Sequence, residues 1–257
     1  MYEAQILDYL NRIGIDTKPG ANIENLHLLH KRHLLTVPFE NLDIHLGKII
    51  LIDPTRIYSK VVKKLRGGFC YELNTLFHEL LINLGFEAAI LSARVAQGNE
   101  KFGSDFDHMA MAVNVGDKRF LADVGFGDFS MIPLELKLNY EQKSGDRIYK
   151  IIKHDEKYLK VVKSEKGADF KPEYIFTLLP RKLKEFKEMC LFHQYSPDSK
   201  FTRQKLCSLA TDNGRVTLTD KSLIITADGK KKTYKIKDDL EFQHYLKEIF
   251  NISLKFD

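Results

Sequence analysis

A cysteine directly after a glycine-containing turn is the residue of this 257-residue chain best placed to act as a nucleophile. Cys70 follows Gly67-Gly68-Phe69, and the segment after it has the apolar spacing of a helix that stops near Gly85. The apolar positions are Leu73, Leu76, Leu80 and Leu84. A thiol at a helix N-terminus lies at the positive end of the helix dipole, near unpaired backbone N–H groups, which favours the thiolate. Taken alone, a cysteine is more often a small buried apolar residue.

A predicted hairpin brings a histidine and an aspartate together. Segments rich in strand-forming or apolar residues flank Gly116-Asp117, which fits a two-residue loop with glycine at its first central position. Val115 then faces Lys118, and His108 and Asp123 become diagonal neighbours on the same face, about 7 Å apart at the backbone. A loop one residue longer or shorter would put the two side chains on opposite faces.

The three residues together suggest covalent catalysis. In this hypothesis Cys70 attacks, His108 takes its proton, and Asp123 orients the imidazole and supports its positive charge. Each residue also has a purely structural interpretation: a buried thiol, a half-buried strand histidine and a turn-capping carboxylate. The hairpin relates His108 to Asp123, but spacing alone cannot place Cys70 beside them, because the cysteine lies on a different element.

Several segments, in order along the chain, resemble those of the arylamine N-acetyltransferase family. They are Val37–Leu42 (VPFENL), Arg66–Asn74 (RGGFCYELN), His108-Met109, Asp123–Gly127 (DVGFG), and the C-terminal SPDS segment of Ser196–Ser199 with Phe201 and Cys207-Ser208-Leu209. The ordered set is far more specific than its RGGxC portion alone, and it spans most of the chain.

The resemblance implies both a reaction and roles for the three residues. Cys70 would be the nucleophile that accepts the acetyl group, with His108 as the base and Asp123 as its orienter. The family's reaction is ping-pong: acetyl-CoA acylates the cysteine, CoA leaves, and the nitrogen of an arylamine or arylhydrazine takes the acetyl group. The expected setting is xenobiotic metabolism.

The same resemblance implies the residues around the substrates. Phe39 and Phe126 would line the acceptor pocket, where an aromatic amine could stack against their rings. Ser104 and Ser199 are the predicted contacts to CoA. Acidic residues at 105, 107 and 128 are unexpected near a polyanionic acyl donor. No metal is implied.

Supporting roles are predicted for the residues around the turn. Arg66 and Glu40 are expected to form a structural ion pair that holds the active-site turn, as the resemblance suggests. Gly67 and Gly68 are expected to serve backbone geometry, through positive φ or close approach. The backbone N–H of Cys70 is a candidate oxyanion donor.

The order of predicted elements indicates an α+β fold, because helices come first, strands follow, and a mixed region ends the chain. The resemblance implies a helical domain (1–85) carrying the nucleophile. It also implies a central antiparallel β-barrel-like domain (86–180) with the histidine and aspartate, and a C-terminal α/β lid (181–257). The Cys–His–Asp arrangement is expected to be similar to that of papain-like and transglutaminase-like enzymes.

Local signals predict where several elements begin. Asn22, Asp53 before Pro54, and Asp238 with Glu241 are expected to start helices. A helix is predicted over Pro180–Phe192. Asp228-Gly229 is interpreted as a hairpin tip, with Lys230–Lys232 in the solvated turn.

Composition limits the remaining classes of function. Hydrophobic residues make up 44% of the chain and charged residues 29%, with a net charge of +5. No apolar run approaches the roughly 20 residues that cross a bilayer, and no signal peptide is visible. Three cysteines without framework spacing favour a reducing compartment, so we expect the cytoplasm. Zinc-finger, P-loop and nucleic-acid-binding motifs are missing from the sequence, and the oligomeric state is not predicted.

Alternatives remain open at this point. An amide synthase could use the same acyl-enzyme with a different acceptor and a wider pocket. A cysteine hydrolase would use water as the acceptor. A non-catalytic binding module would have a Cys70 no more reactive than Cys190 or Cys207, which we otherwise interpret as buried structural thiols.

Overall fold

The computed structural model describes residues 1–98, 100–165 and 167–256, and the statements below refer to these residues. Its α-helices are α1 (Glu3–Arg12), α2 (Ile23–Thr36), α3 (Leu42–His45), α4 (Pro54–Tyr58), α5 (Cys70–Asn83), α6 (Lys187–Tyr195), α7 (Lys200–Arg203) and α8 (Asp239–Phe250). A π-helical segment, Ser59–Lys63, continues α4, and a 3-10 helix, Leu183–Phe186, leads into α6.

Two antiparallel sheets carry the strands. The strands are β1 (Phe39–Glu40), β2 (Glu87–Gly98), β3 (Lys101–Phe102), β4 (His108–Val115), β5 (Lys118–Ala122), β6 (Leu134–Glu135), β7 (Gln142–Ser144), β8 (Arg147–Lys153), β9 (Leu159–Glu165), β10 (Lys171–Phe176), β11 (Leu206–Thr211), β12 (Gly214–Thr219), β13 (Ser222–Ala227) and β14 (Lys230–Lys235). The larger sheet has the order β6-β5-β4-β2-β10-β9-β8-β7, with β3 paired to β2, and is nearly closed and barrel-like. The smaller sheet has the order β1-β11-β12-β13-β14. Helices together with a barrel-like antiparallel sheet confirm the predicted α+β class.

The predicted helix starts are confirmed by side-chain caps. Asn22 accepts a hydrogen bond of 2.8 Å from the backbone of Asn25, and Asp53 accepts one of 2.9 Å from Arg56. Asp238 likewise caps α8. These side chains satisfy backbone N–H groups that have no acceptor inside the helix.

Some predicted elements differ from the structure. Strand β10 was not predicted; it contains Pro172, which lacks a backbone donor, and its pairing with β9 shifts register between Pro172 and Tyr174. The helix expected over Pro180–Phe192 begins later, as a 3-10 turn followed by α6. Asp228 and Gly229 do form the hairpin tip, with φ of 50° and 70°, but the three lysines after them lie in the edge strand β14. Exposed lysines on an edge strand oppose pairing with another chain.

The packing brings the start of α5 against the barrel-like sheet. One cluster of buried apolar residues joins α1, α2, α5 and α6 to β4 and β5, and it includes Cys70. Strand β1, from the helical segment, pairs with β11 through Phe39 and Ser208, so the first and last parts of the chain share a sheet. The three domain limits remain predictions. In the described ranges, no helix combines the length and apolarity needed to cross a bilayer.

Candidate active site

Helix α5 begins at Cys70 in a tightly packed turn. The Glu72 carboxylate accepts a hydrogen bond of 3.2 Å from the backbone N–H of Phe69, which caps the helix from inside. A Cβ on Gly67 would lie 1.9 Å from the carbonyl oxygen of Pro38, so only glycine lets the two segments approach. The prediction of close approach is correct. The prediction of positive φ is wrong, because neither Gly67 nor Gly68 has a positive φ.

A buried ion network holds this turn, and the expected Arg66–Glu40 pair is part of it. Arg66 Nε donates to Glu40 Oε1 at 2.9 Å, and the guanidinium also contacts Asp43 at 3.0 Å. Lys60 Nζ lies 2.9 Å from both Asp43 and Glu72. Burial raises the pKa of Glu72 to about 7, although Lys60 opposes that rise. The network therefore fixes the segment just before Cys70 through long-range ion pairs.

The predicted hairpin register is confirmed. Val115 pairs with Lys118, and the ladder continues to Met111 paired with Ala122. Gly116 has a φ of 61°. His108 Nε2 lies 2.7 Å from Asp123 Oδ2, and both side chains are buried. Because a slip of one residue would separate the pair, this contact follows directly from the two-residue loop.

Asn74 hydrogen-bonds helix α5 both to β4 and to the segment that follows β5. Asn74, one turn after Cys70, donates to the carbonyl oxygen of Met109 at 2.6 Å and to Asp123 Oδ1 at 3.0 Å. It also accepts a hydrogen bond of 3.0 Å from the backbone of Val124. These three bonds use both N–H groups and the oxygen of the amide, so Asn74 ties the helix that begins at Cys70 to the strand ends.

Two further contacts bring Cys70 against the same strand ends. The Tyr71 hydroxyl donates to the carbonyl oxygen of Phe106 at 2.7 Å and lies 3.2 Å from that of Asp107. A Cβ on Gly125 would lie 2.8 Å from Cys70 Cα and 2.6 Å from Asn74 Nδ2. The backbone before His108 and the backbone after Asp123 therefore both contact the first turn of α5.

The electrostatics of Cys70 differ from the expectation for a helix N-terminus. Burial raises the pKa of the Cys70 thiol well above its ordinary value, and the nearby Cys190 thiol and the carboxylates of Asp107 and Asp123 add to that rise. The backbone N–H of Tyr71 works in the opposite direction. An isolated thiolate is therefore disfavoured here, so thiolate formation needs a neutral base that takes the proton and thereby becomes a positive partner.

The carboxylate of Asp123 stays ionised although it is buried. Burial alone would raise its pKa, but the charge of His108 and hydrogen bonds from His108, Asn74 and Gly125 lower it overall. A buried carboxylate that is kept ionised by hydrogen bonds from three residues can stabilise an imidazolium.

Two residues that sequence reasoning missed support the His–Asp pair. His30 on α2 accepts a hydrogen bond of 3.2 Å from the backbone N–H of Asp123, and its other nitrogen lies 3.2 Å from the Met131 carbonyl oxygen. Burial lowers the pKa of His30 to about 4, so the ring is neutral. Tyr174 on β10 is fully buried, with its ring centroid 5.4 Å from that of His108. Burial and the charge of Asp123 raise the pKa of Tyr174.

The two predicted acceptor-pocket residues lie in different surroundings. The Phe126 ring is half-buried, 5.1 Å from the ring centroid of His108 in an edge-to-face arrangement, and 5.1 Å from that of Tyr174. Phe39 is 8% exposed, and its ring lies 6.0 Å from Phe201. Phe126 is therefore next to the His–Asp pair, whereas Phe39 belongs mostly to the core.

The two predicted CoA contacts also differ. Ser104 is exposed in the loop before β4. Ser199 is buried, and its hydroxyl lies within hydrogen-bond distance of two His193 atoms and the backbone N–H of Phe201. The Ser199 hydroxyl is thus already engaged within the protein.

Two of the three acidic residues noted near this region, Asp105 and Asp128, are paired with cations. Asp105 contacts Arg94 at 2.8 Å, and Asp128 contacts Arg147 at 2.5 Å with Arg215 nearby. Their charges therefore need not repel a polyanion. In the part of the chain that the structure describes, no three metal-ligating side chains converge.

Comparison with known proteins gives the class first. A family model described as N-acetyltransferase matches residues 22–257. The chain is therefore a transferase of the N-acetyltransferase class.

The particular family follows from the relatives. The Gallus gallus arylamine N-acetyltransferase, pineal gland isozyme NAT-3, is 33% identical over 275 residues, covering 97% of this chain and 94% of the relative. Proansamycin X synthase of Amycolatopsis mediterranei is 29% identical, with 95% of each chain covered. The structure of Mycobacterium marinum arylamine N-acetyltransferase in complex with CoA has a TM-score of 0.88 and 25% identity, covering 96% of this chain and 92% of that one. This chain belongs to the arylamine N-acetyltransferase family.

Proposed function

We propose that this protein transfers an acetyl group from acetyl-CoA to an arylamine or arylhydrazine through a thioester on Cys70. The observation that carries the proposal is the buried His108–Asp123 pair, tied to the helix that begins at Cys70 through Asn74. Full-length similarity to arylamine N-acetyltransferases supports the same reaction.

In the acylation step, His108 accepts the Cys70 proton as the sulfur attacks the acyl carbon. Asp123 accepts the hydrogen bond from His108 Nε2, so Nδ1 is the nitrogen that takes the proton. The new bond joins Sγ to the acyl carbon, and the bond from that carbon to the CoA sulfur breaks. The departing thiolate receives the proton from His108. Between taking the Cys70 proton and passing it to the leaving thiolate, His108 is an imidazolium, which Asp123 stabilises against the cost that burial places on charge.

In the transfer step, the acceptor nitrogen attacks the thioester while His108 takes the proton from that nitrogen. The C–N bond forms, and the bond to Sγ breaks to regenerate Cys70. Both steps pass through an oxyanion, for which the backbone N–H of Cys70 at the start of α5 is the proposed donor. Phe126, beside the His108 ring, is the proposed wall for an aromatic acceptor.

The donor assignment to CoA rests on the CoA complex of the M. marinum structure and on the net charge of +5, which favours a polyanion. Ser104 is exposed and remains a proposed contact. Ser199 is the weaker proposed contact, because its hydroxyl, its backbone N–H and its carbonyl oxygen are all hydrogen-bonded within the protein.

A second candidate is an amide synthase that uses the same acyl-enzyme. The similarity to a relative named proansamycin X synthase, over 95% of both chains, favours it. It shares the Cys70 thioester with the first proposal but predicts little use of acetyl-CoA.

An initial-rate study with acetyl-CoA and a panel of aromatic amines and hydrazines tests the proposal. We expect parallel double-reciprocal lines, because CoA leaves before the amine binds, and no activity in Cys70→Ala. Converging lines would contradict the thioester route. Acylation by a longer acyl thioester with no turnover of acetyl-CoA would favour the amide synthase instead. Cys207→Ala is the matched control, since Cys207 is also buried but lies on β11.

A further inference from the structure

A buried histidine on α6 bridges the loop before β4 and the segment that begins α7. His193 Nε2 lies 3.2 Å from Asp107 Oδ1 and 3.3 Å from the Asp107 carbonyl oxygen, while Nδ1 lies 3.2 Å from the Ser199 hydroxyl. His193 is 7% exposed. A Ser–His–Asp arrangement is typical of a serine nucleophile. Ser199, however, is 2% exposed and its oxygen also contacts two backbone groups, so this arrangement is structural.

The partner of His193 is directly attached to the proposed base. Asp107 precedes His108 in the chain, and its second carboxylate oxygen accepts a hydrogen bond of 3.2 Å from the backbone of Val95. Its carbonyl oxygen lies 3.2 Å from the Tyr71 hydroxyl, beside Cys70. A shift of Asp107 would therefore displace the first residue of β4.

Asp107 is also a negative charge close to the proposed nucleophile. Its carboxylate is one of the charges that raise the pKa of the Cys70 thiol, after burial and Cys190. A carboxylate bonded to an N–H donor repels a nearby thiolate less than a free one, and an imidazolium partner would cancel its charge.

We propose that His193 is a positioning residue for acyl transfer. It holds Asp107, and with it the His108 end of β4, through contacts from its Nε2 to the Asp107 carboxylate and carbonyl oxygen. This inference rests on the proposed role of Cys70 as nucleophile. The His193 ring contacts Asp107, the Ser199 hydroxyl and Tyr71, together with the uncharged rings of Phe192 and Phe201.

The test measures alkylation of Cys70 by iodoacetamide across pH, with the modified cysteine identified by peptide mass spectrometry. Four proteins are compared: wild type, His193→Gln, Asp107→Asn and the double variant. We expect His193→Gln to move the midpoint up by about one pH unit and to slow labelling about tenfold below the midpoint. Adding Asp107→Asn should restore the wild-type midpoint, because the unpaired carboxylate is gone.

His78→Gln is the matched control, since His78 is half-buried on α5 and its ring hydrogen-bonds to the Ala88 carbonyl oxygen, away from Asp107. In this control, Cys70 should be alkylated at the wild-type rate and with the wild-type pH midpoint. If a thermal melt shows that His193→Gln is unfolded, His193→Asn replaces it with the same expected outcomes.

The outcomes separate this inference from the proposed function. If wild-type Cys70 reacts no faster than Cys190, the proposed nucleophile is wrong. If Cys70 is reactive in the wild type but His193→Gln leaves its midpoint unchanged, the role of His193 is overturned. A shifted midpoint that Asp107→Asn fails to restore also overturns it, because a general loss of packing would give that result.

Discussion

Asn74 donates a hydrogen bond of 3.0 Å to Asp123, although the two residues lie 49 positions apart in the chain. Asn74 is one helical turn after Cys70, and Asp123 is the partner of His108. This single amide therefore relates the helix that carries the proposed nucleophile to the strand end that carries the proposed acid–base pair.

Asn74→Ala should weaken both the fold and the chemistry. The change leaves the Met109 carbonyl oxygen, the Val124 N–H and one Asp123 oxygen with one bond fewer in a buried site. We expect the free energy of unfolding to fall by about 2 to 4 kcal/mol, since each buried unpaired group costs about 1 to 3 kcal/mol. Acetylation of Cys70 should slow at least about tenfold in folded protein.

Denaturant melts and single-turnover acetylation measure the two effects. Asn83→Ala is the control, because Asn83 lies at the far end of α5 and donates only to the Glu79 carbonyl oxygen among the described residues. An Asn74→Ala protein that folds and acetylates at the wild-type rate would show that this link is unnecessary.

Gly125→Ala should displace the active-site backbone. An added Cβ would lie 2.8 Å from Cys70 Cα and 3.0 Å from its carbonyl oxygen, and backbone atoms cannot yield as a flexible side chain can. We expect destabilisation of about 1 to 3 kcal/mol and a large loss of Cys70 acetylation. Gly20→Ala is the matched control, since nothing lies within 4 Å of its Cβ position. Equal behaviour of the two variants would argue against close packing at Gly125.

His108→Ala should reveal the intrinsic pKa of the buried thiol. Burial raises the pKa of Cys70, so without the imidazole the alkylation midpoint should rise above the ordinary value of about 8.5. The wild-type midpoint should lie below that value, because the proton passes to His108. Labelling rates across pH, with the site mapped to Cys70, measure both. A midpoint that is the same in the two proteins would remove His108 from thiolate formation.

Acid should destabilise the protein through His30. The folded pKa is about 4 and the ordinary value is 6.5, so the unfolded chain binds a proton between these pH values that the folded protein does not. Stability is therefore lost as pH falls from 6.5 to 4, by on the order of 3 kcal/mol for this group. We expect the difference in unfolding free energy between wild type and His30→Gln to grow by that amount from pH 4 to pH 7.

Denaturant melts at several pH values check this, with the exposed His244→Gln as control. A constant difference between wild type and His30→Gln would show that His30 is not held neutral.

Sequence could predict the local parts of this site but not the long-range ones. The Gly116-Asp117 loop fixes the register of two adjacent strands, so the His108–Asp123 contact followed from spacing. The helix start at Cys70 followed from local signals as well. Asn74 was visible only as a motif residue, because its three partners lie on another element.

The supporting residues His30 and Tyr174 had no usable sequence signal. His30 lies on α2 among core-facing residues, where a histidine looks like any buried helix residue. Tyr174 lies on β10, which was not predicted to be a strand because it contains Pro172. The raised pKa of Cys70 was also missed, because the helix-end argument considers the dipole without the burial that tertiary packing imposes.

The most direct measurement is the mass of the intact protein after exposure to acetyl-CoA alone, followed by peptide mapping. We expect one added acetyl group, located on Cys70, that disappears when an arylamine or hydrazine is added and never forms in Cys70→Ala. Acetylation at another residue, or acetyl transfer by folded Cys70→Ala, would contradict it.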